Sequence, residues 1–480
     1  MSITLAEQDQ HTLRIAAWGA VSLMSAAGAA GSAHQVATAG SLALTSATGT
    51  VGHILAKAPK GVSWGKSVAD LADQVLPALT ASMRLLRDPA EAGDFRRTVL
   101  VALDAATHSG EANPTMTEMA RKITEALDVP QDRPQLQQIL QDMVEAGFVG
   151  VTLRVRDQRG EWAGSAGTTE RGGTTPAPID AHVRIGSNTK TFIATAVLRL
   201  VAEGRIALDA PVAGYLPEFG LDERITVRML LQHTSGIFNF TGEYYEDGTF
   251  APGIPATQAG KEWVDNRFHT YQPEDLVRLA LSKPARFEPG TDWSYANTNY
   301  VLARLLIEKV TGRPVADELQ RLILGPLGLT GTHQPTTETD LPAPHVHAYY
   351  RYDDTLVDVT RHNPSWISSG GDMISTSRDL QTFITALVTG KLLPADLLAE
   401  MFTPEAKAGY GLGVFVQNGG TLISHNGGNA GQAALMLCTA DGATSLTATL
   451  AYVDDAEMSM GAAFQQASQR LLAEVFGPAA

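Results

Sequence analysis

The chain has 480 residues, 44% of them hydrophobic and 18% charged, with a formal net charge of −15 and a pI near 5.2. That size and apolar content fit a folded protein of two domains, and the acidic balance excludes nucleic acid and anionic membrane as main partners, since both need a basic surface. The one cysteine, Cys438, excludes an intramolecular disulfide and any zinc-ligand spacing, and its apolar setting in ALMLCTADG predicts a buried thiol.

Residues 1–130 read as a small helical accessory domain without a constellation of catalytic residue types. The opening MSITLAEQDQHTLR carries acids and one arginine, and residues 15–33 behind it imitate the apolar region of a signal peptide. Without a basic leader the chain is expected to be cytoplasmic, with secretion as the alternative. No run has the length and apolarity of a membrane span. Residues 30–56, mostly Ala, Gly, Ser and Thr, give no clear element. Val68, Leu71, Val75, Leu79, Met83 and Leu86 recur at spacings of three and four, which predicts an amphipathic helix kinked at Pro77. Phe95, Val99 and Leu103 begin another helix. Thr115 and Glu118 form a capping-box pattern ahead of Met119, Ile123 and Leu127. His34, His53 and His108 stand alone and read as surface or capping residues. DVPQDRPQ, residues 128–135, is the expected linker.

From about residue 131 the pattern turns to mixed α and β. Leu136, Ile139, Leu140 and Met143 predict a helix that stops at Gly147. Val151, Leu153 and Val155 alternate with Thr152, Arg154 and Arg156, a half-buried strand, and a second strand follows DQRG around Trp162.

Three segments carry chemistry. In HVRIGSNTKTFIATAVLRLVAEG, Phe192, Ile193, Ala196, Val197, Leu200 and Val201 follow a helical period that begins near Ser187 and ends at Gly204. A hydroxyl at that helix start meets unpaired N–H groups and the positive end of the dipole. Lys190, at i+3, lies on the same face, and a desolvated amine there can help activate the serine. A serine cap with a solvated lysine is the plainer alternative. In SYANTNYVLARLL, Tyr295 and Asn297 stand two apart before another apolar helix, so a phenol and a carboxamide can face one cleft. In GGTLISHNGGNAGQ, Leu422 and Ile423 predict a strand that carries His425, Asn426, Gly427 and Gly428 at its end or beyond. Gly427 and Gly428 would let a ligand approach the backbone closely.

In this order, S-x-x-K, Y-x-N and H-x-G resemble the motifs of the serine penicillin-recognising family: class C beta-lactamases, D-Ala-D-Ala carboxypeptidases and related esterases. The H-x-G form is that of the Streptomyces-type DD-peptidases, where others have K-T-G. RIGSNTKTF, ITVRMLLQHTSGI, ISTSRDLQTFITALVTGKLL and YGLGV agree with it, and the resemblance spans about residues 135–475. It implies an α+β domain over 131–480, an antiparallel sheet flanked by helices with an inserted helical subdomain, and no cofactor or metal. It also implies roles. Ser187 becomes acylated, Lys190 and Tyr295 shuttle the proton, and His425 stands where the family places a cation. Asn297 positions the acyl amide, the N–H groups of Ser187 and Gly428 form the oxyanion hole beside Gly427, and Trp366 borders the pocket.

Two positions depart from the carboxypeptidase pattern. Gly428 replaces a threonine, and Phe415 replaces an arginine that would hold a terminal carboxylate. The expected partner is a small peptide, ester or beta-lactam. The leading expectation is D-Ala-D-Ala carboxypeptidase-like hydrolysis. An esterase or D-amino-acid amidase or acyltransferase on substrates without a free carboxylate is the alternative, and a catalytically silent peptidoglycan-binding module is the alternative from another class. His233, in LLQHTSGI, is expected to order a loop near the site. HVHAYYRYDD offers only an H-x-H pair toward a metal. The sequence leaves the oligomeric state open.

Overall fold

The computed structural model describes residues 5–28, 32–62, 64, 67–86, 89–109, 114–127, 133–245, 247–254 and 260–477. Chain contacts divide it into one unit of Met1–Arg133 with Arg156–Trp162, and a second of Pro134–Val155 with Ala163–Ala480. Most of the expected linker, residues 128–132, lies outside the described residues.

The first unit holds six helices among the described residues: α1 (Glu7–Ala27), α2 (Ala33–Ser46), α3 (Gly49–Leu55), α4 (Val68–Leu85), α5 (Pro89–His108) and α6 (Pro114–Leu127). They enclose their own core of Leu13, Val36, Leu79, Phe95 and Ile123 with their neighbours. The signal-like run falls largely in α1, whose Ala16, Ala17, Ala20, Leu23 and Met24 are buried in that core. No helix among the described residues is long and apolar enough to cross a membrane. Two helices, α2 and α3, occupy the stretch that showed no periodicity. Their small residues permit close packing rather than form an apolar stripe: a Cβ on Gly40 would sit 2.7 Å from Val21. The capping box expected at Thr115 is not there, because α6 already starts at Pro114. A reciprocal box closes α4 instead, between Ser67 and Asp70.

In the second unit, α7 (Pro134–Glu145) leads into a sheet. Strands β1 (Gly150–Asp157) and β2 (Gly160–Gly167) form one edge. The pair β3 (Val183–Arg184), the hairpin β4 (Glu243–Tyr244) and β5 (Phe250–Ala251), and β6 (Tyr349–Tyr352), β7 (Thr355–Asp358) and β8 (Ile374–Ser375) follow among inserted helices. The chain then returns with β9 (Phe415–Gln417), β10 (Leu422–Asn429), β11 (Gln432–Thr439), β12 (Ser445–Ala451) and β13 (Val453–Asp455). The six-stranded sheet has the order β2-β1-β12-β11-β10-β9, antiparallel along β12-β11-β10-β9. Thr152 and Arg154, expected on a solvent face, are buried instead. Thr152 Oγ1 meets Thr449 Oγ1 at 2.7 Å and Arg154 pairs with Asp180, because both faces of β1 are covered.

Strand alternation on β10 sets the position of the site. Ile423 joins the main core together with Ala434, Met436 and Cys438 of β11, the last buried as expected. Ser424 and Asn426 face the opposite way, toward the terminal helix Gly461–Phe476. β9 pairs only with Leu422–Ser424, so β10 is an unpaired edge from His425 onward.

Candidate active site

The serine segment is fixed by two backbone pairings. β3 pairs with β8, Val183 opposite Ser375 and Arg184 opposite Ile374, and Ile185 N–H donates to Met373 O at 3.0 Å. A 3₁₀ turn, Gly186–Asn188, then feeds α8 (Thr189–Ala202), so Ser187 sits immediately ahead of the α-helix. Gly186 adopts φ +51 and lies against β10, where a Cβ would stand 2.5 Å from Gly428 N. A Cβ on Gly427 would stand 2.3 Å from Ser187 N. The two main-chain amides expected as an oxyanion pair therefore lie on facing backbone segments.

Lys190 is wholly buried, and its Nζ meets three oxygens: Ser187 Oγ at 3.0 Å, Asn297 Oδ1 at 2.7 Å and Gly370 O at 2.5 Å. Tyr295 precedes the helix Asn297–Thr311, and its ring centroid lies 4.6 Å from Lys190 Nζ. Its phenol lies beside the Ser187 hydroxyl, which favours the ionised phenol. Ser187, Lys190, Tyr295 and Asn297 are thus one contact cluster. Burial holds the Lys190 amine well below its usual range, with the charge of Asp372 working weakly the other way. Burial likewise pushes the Tyr295 phenol up, the Ser187 hydroxyl opposing it.

His425 lies on β10, beside the cluster. It is 2% exposed, and burial, reinforced by Lys190, pushes its imidazole down to about 3. Nδ1 lies 2.7 Å from Asn426 O, an obligate acceptor, so Nδ1 carries the hydrogen, and Nε2 accepts from Tyr410 Oη at 3.0 Å. It is a neutral ring with both nitrogens occupied. Phe415 packs its ring against Tyr410 at 4.8 Å and His425 at 5.3 Å. Trp366 lies in a 3₁₀ turn against the main core, with its Nε1 buried and without a hydrogen-bond partner among the described residues.

His233 is buried below the cluster, its Nδ1 accepting from Ala296 N–H and Asn299 Nδ2, each at 3.2 Å. Its ring lies 4.3 Å from that of Tyr295. Asn239 Oδ1 accepts Asn297 N–H at 3.0 Å, and Thr241 Oγ1 accepts from Asn297 Nδ2 at 3.1 Å. The segment 233–241 therefore clamps the Y-x-N segment from beneath. Sequence reasoning missed Gly370, Thr241, Asn239 and Tyr410. Gly370 contributes a carbonyl, which no residue type announces, and its nearness follows only from the β3–β8 pairing. Among the described residues no three His, Cys, Asp or Glu side chains are grouped to hold a metal, and His347 pairs with Asp358 at 2.6 Å.

Residues 136–465 match the Beta-lactamase family profile. A D-stereospecific amidohydrolase from Streptomyces sp. is 39% identical, with TM-score 0.60, and the match covers 69% of this chain and 98% of that one. D-amino acid amidase from Ochrobactrum anthropi SV3 is 27% identical, with TM-score 0.60, over 71% of this chain and 97% of that one. Among curated relatives, the putative penicillin-binding protein PbpX of Bacillus subtilis is 28% identical over 285 residues, and esterase EstB of Burkholderia gladioli 36% over 173. The matches take in 59% and 34% of this chain, and 66% and 41% of those relatives' own lengths. A buried amine in contact with a helix-start serine, on a sheet flanked by helices, and a family match over most of the chain agree: the protein belongs to the beta-lactamase family of serine hydrolases.

Proposed function

We propose that the protein hydrolyses amides or esters of D-amino acids that lack a free terminal carboxylate, through an acyl-enzyme on Ser187. The observation that carries this reading is the rim of the site. Phe415 stands where the resemblance to the carboxypeptidases implies an arginine, its ring packed on Tyr410 and His425, and His425 is held neutral with both nitrogens engaged. A carboxylate brought to this apolar edge would lose water without gaining a counter-charge. Similarity to the D-stereospecific amidohydrolase and the D-amino acid amidase supports the same substrate class.

The contacts of Lys190 suggest its part. Asn297 Oδ1 and Gly370 O are acceptors, so together they use both hydrogens of a neutral amine. The lone pair then faces Ser187, whose proton it takes as the hydroxyl attacks. Tyr295, kept protonated by burial, donates to the leaving nitrogen or oxygen and takes back the proton that Lys190 received from Ser187, so both groups return to their starting states. The Ser187 and Gly428 amides receive the oxyanion.

The test is a matched panel: D-phenylalanine amide, its L-enantiomer, and D-alanyl-D-alanine peptides with free and amidated C-termini. Turnover of the D-amide and the amidated peptide above the free acid is expected, with loss of all turnover in Ser187→Ala. Faster cleavage of the free-acid peptide would overturn the reading in favour of a carboxypeptidase.

A further inference from the structure

We propose that the cavity of about 360 Å³ beside Gly428 is a substrate subsite for a primary ammonium group on an apolar body, with Asp454 as the anion that receives it. The inference rests on the acyl-enzyme reading of Ser187 and deepens it by naming the charge of the substrate.

The first observation is access. Gly428 stands on the unpaired edge of β10, with Gly186 against its amide on one side. A Cβ built on Gly428 would meet only Gln432 O at 3.6 Å and Tyr452 Oη at 3.8 Å, ordinary contacts in otherwise open space. Where a side chain would have stood at the mouth, a ligand can cross the strand edge into the cavity.

The second observation is what lies within. Phe148, Met460 and Phe464 form apolar walls. Three polar residues break them: Asn426, the Tyr452 hydroxyl, which has no hydrogen-bond partner among the described residues, and the Asp454 carboxylate. Asp454 accepts Asp455 N–H at 3.0 Å. Among the described residues no lysine or arginine pairs with it, and the nearest charge on its own strand, Asp455, has the same sign. A half-buried carboxylate against apolar walls lacks a counter-charge, and a ligand ammonium supplies one. Burial and Asp455 both raise the proton affinity of Asp454, the effect a bound cation would reverse.

The test uses three probes of one shape: 2-phenylethylammonium, 2-phenylethanol and 3-phenylpropanoate, titrated calorimetrically into full-length Ser187→Ala protein. The ammonium should bind about tenfold more tightly than the alcohol and the carboxylate most weakly, with Asp454→Asn removing the advantage of the ammonium. Met460→Trp, which fills the cavity, should weaken the ammonium and the alcohol alike. Equal affinity of ammonium and alcohol, or a preference that survives Asp454→Asn, overturns the proposal. Tightest binding by the carboxylate also overturns it, and assigns the cavity to the first turn of the helix Gly461–Phe476. Binding needs no turnover, so failure here is separate from failure of the hydrolase reading, which wild-type ester hydrolysis decides.

Discussion

Lys190 shows how one residue takes its chemistry from partners far away in the chain. Its spacing from Ser187 was legible, since i and i+3 share a helix face. Its protonation state was not, because that depends on complete burial and on Asn297 and Gly370, more than a hundred residues on. With the neutral amine as the base, kcat/KM should rise with pH through a Lys190 pKa well below the ordinary lysine value, and fall as the amine becomes protonated at lower pH. Lys190→Met should lower kcat by roughly 10²–10⁴-fold and erase that limb of the profile, measured on an activated ester. His425 makes the converse case. The H-x-G motif was visible, but the neutrality of His425 depends on burial and on the neighbouring Lys190, and its tautomer on the strand's own carbonyl. His425→Ala should leave the Tyr410 hydroxyl unpaired and cost about 1–3 kcal/mol in urea denaturation.

At the scale of elements, the strand and the 3₁₀ turn hold the site by backbone contact. A methyl on Gly427 would stand 2.3 Å from both Ile185 O and Ser187 N, neither of which can swing aside. Gly427→Ala should therefore separate β10 from the serine turn and reduce kcat by roughly 10²-fold or more, while far-ultraviolet circular dichroism stays near wild type. Elements with contrast between apolar and polar positions were readable, such as α4, α7, α8 and β10. Helices α2 and α3 were not, because alanine, glycine, serine and threonine give no contrast and pack by smallness. Gly40→Val tests that account: it should destabilise the first unit by about 1–3 kcal/mol, read from the thermal unfolding of the full chain. The solvent face predicted for β1 failed for a different reason. Polar residues on a covered strand can be buried when each finds a partner, as Thr152 and Arg154 do.

For the whole molecule, the sheet order was beyond reach from local pattern, because β12 sits beside β1 after nearly three hundred intervening residues. The resemblance in three short motifs implied an antiparallel sheet flanked by helices, but not the order of its strands. The buried imidazoles set a global property as well. His425 and His362 are both pushed down to about 3, whereas an unfolded histidine titrates near 6.5. Below pH 6.5 the unfolded state binds more protons, so stability falls with pH until the folded-state values near 3 are reached. Asp372, pushed up to about 6 by burial, acts oppositely, its unfavourable ionisation fading as pH falls. From pH 7 to 5 each of these histidines costs about 2 kcal/mol and Asp372 returns about 1; His233, also pushed well below its usual range by burial, acts in the histidines' direction, so the urea midpoint should fall over that range.

The edge of β10 left bare by the brevity of β9 has a further consequence. Exposed main-chain donors and acceptors of that kind invite a foreign strand as readily as a substrate, and two adjacent glycines offer little steric resistance to either. A ligand seated in the proposed cleft would cap the same groups, and so would shield that edge from strand-to-strand self-association.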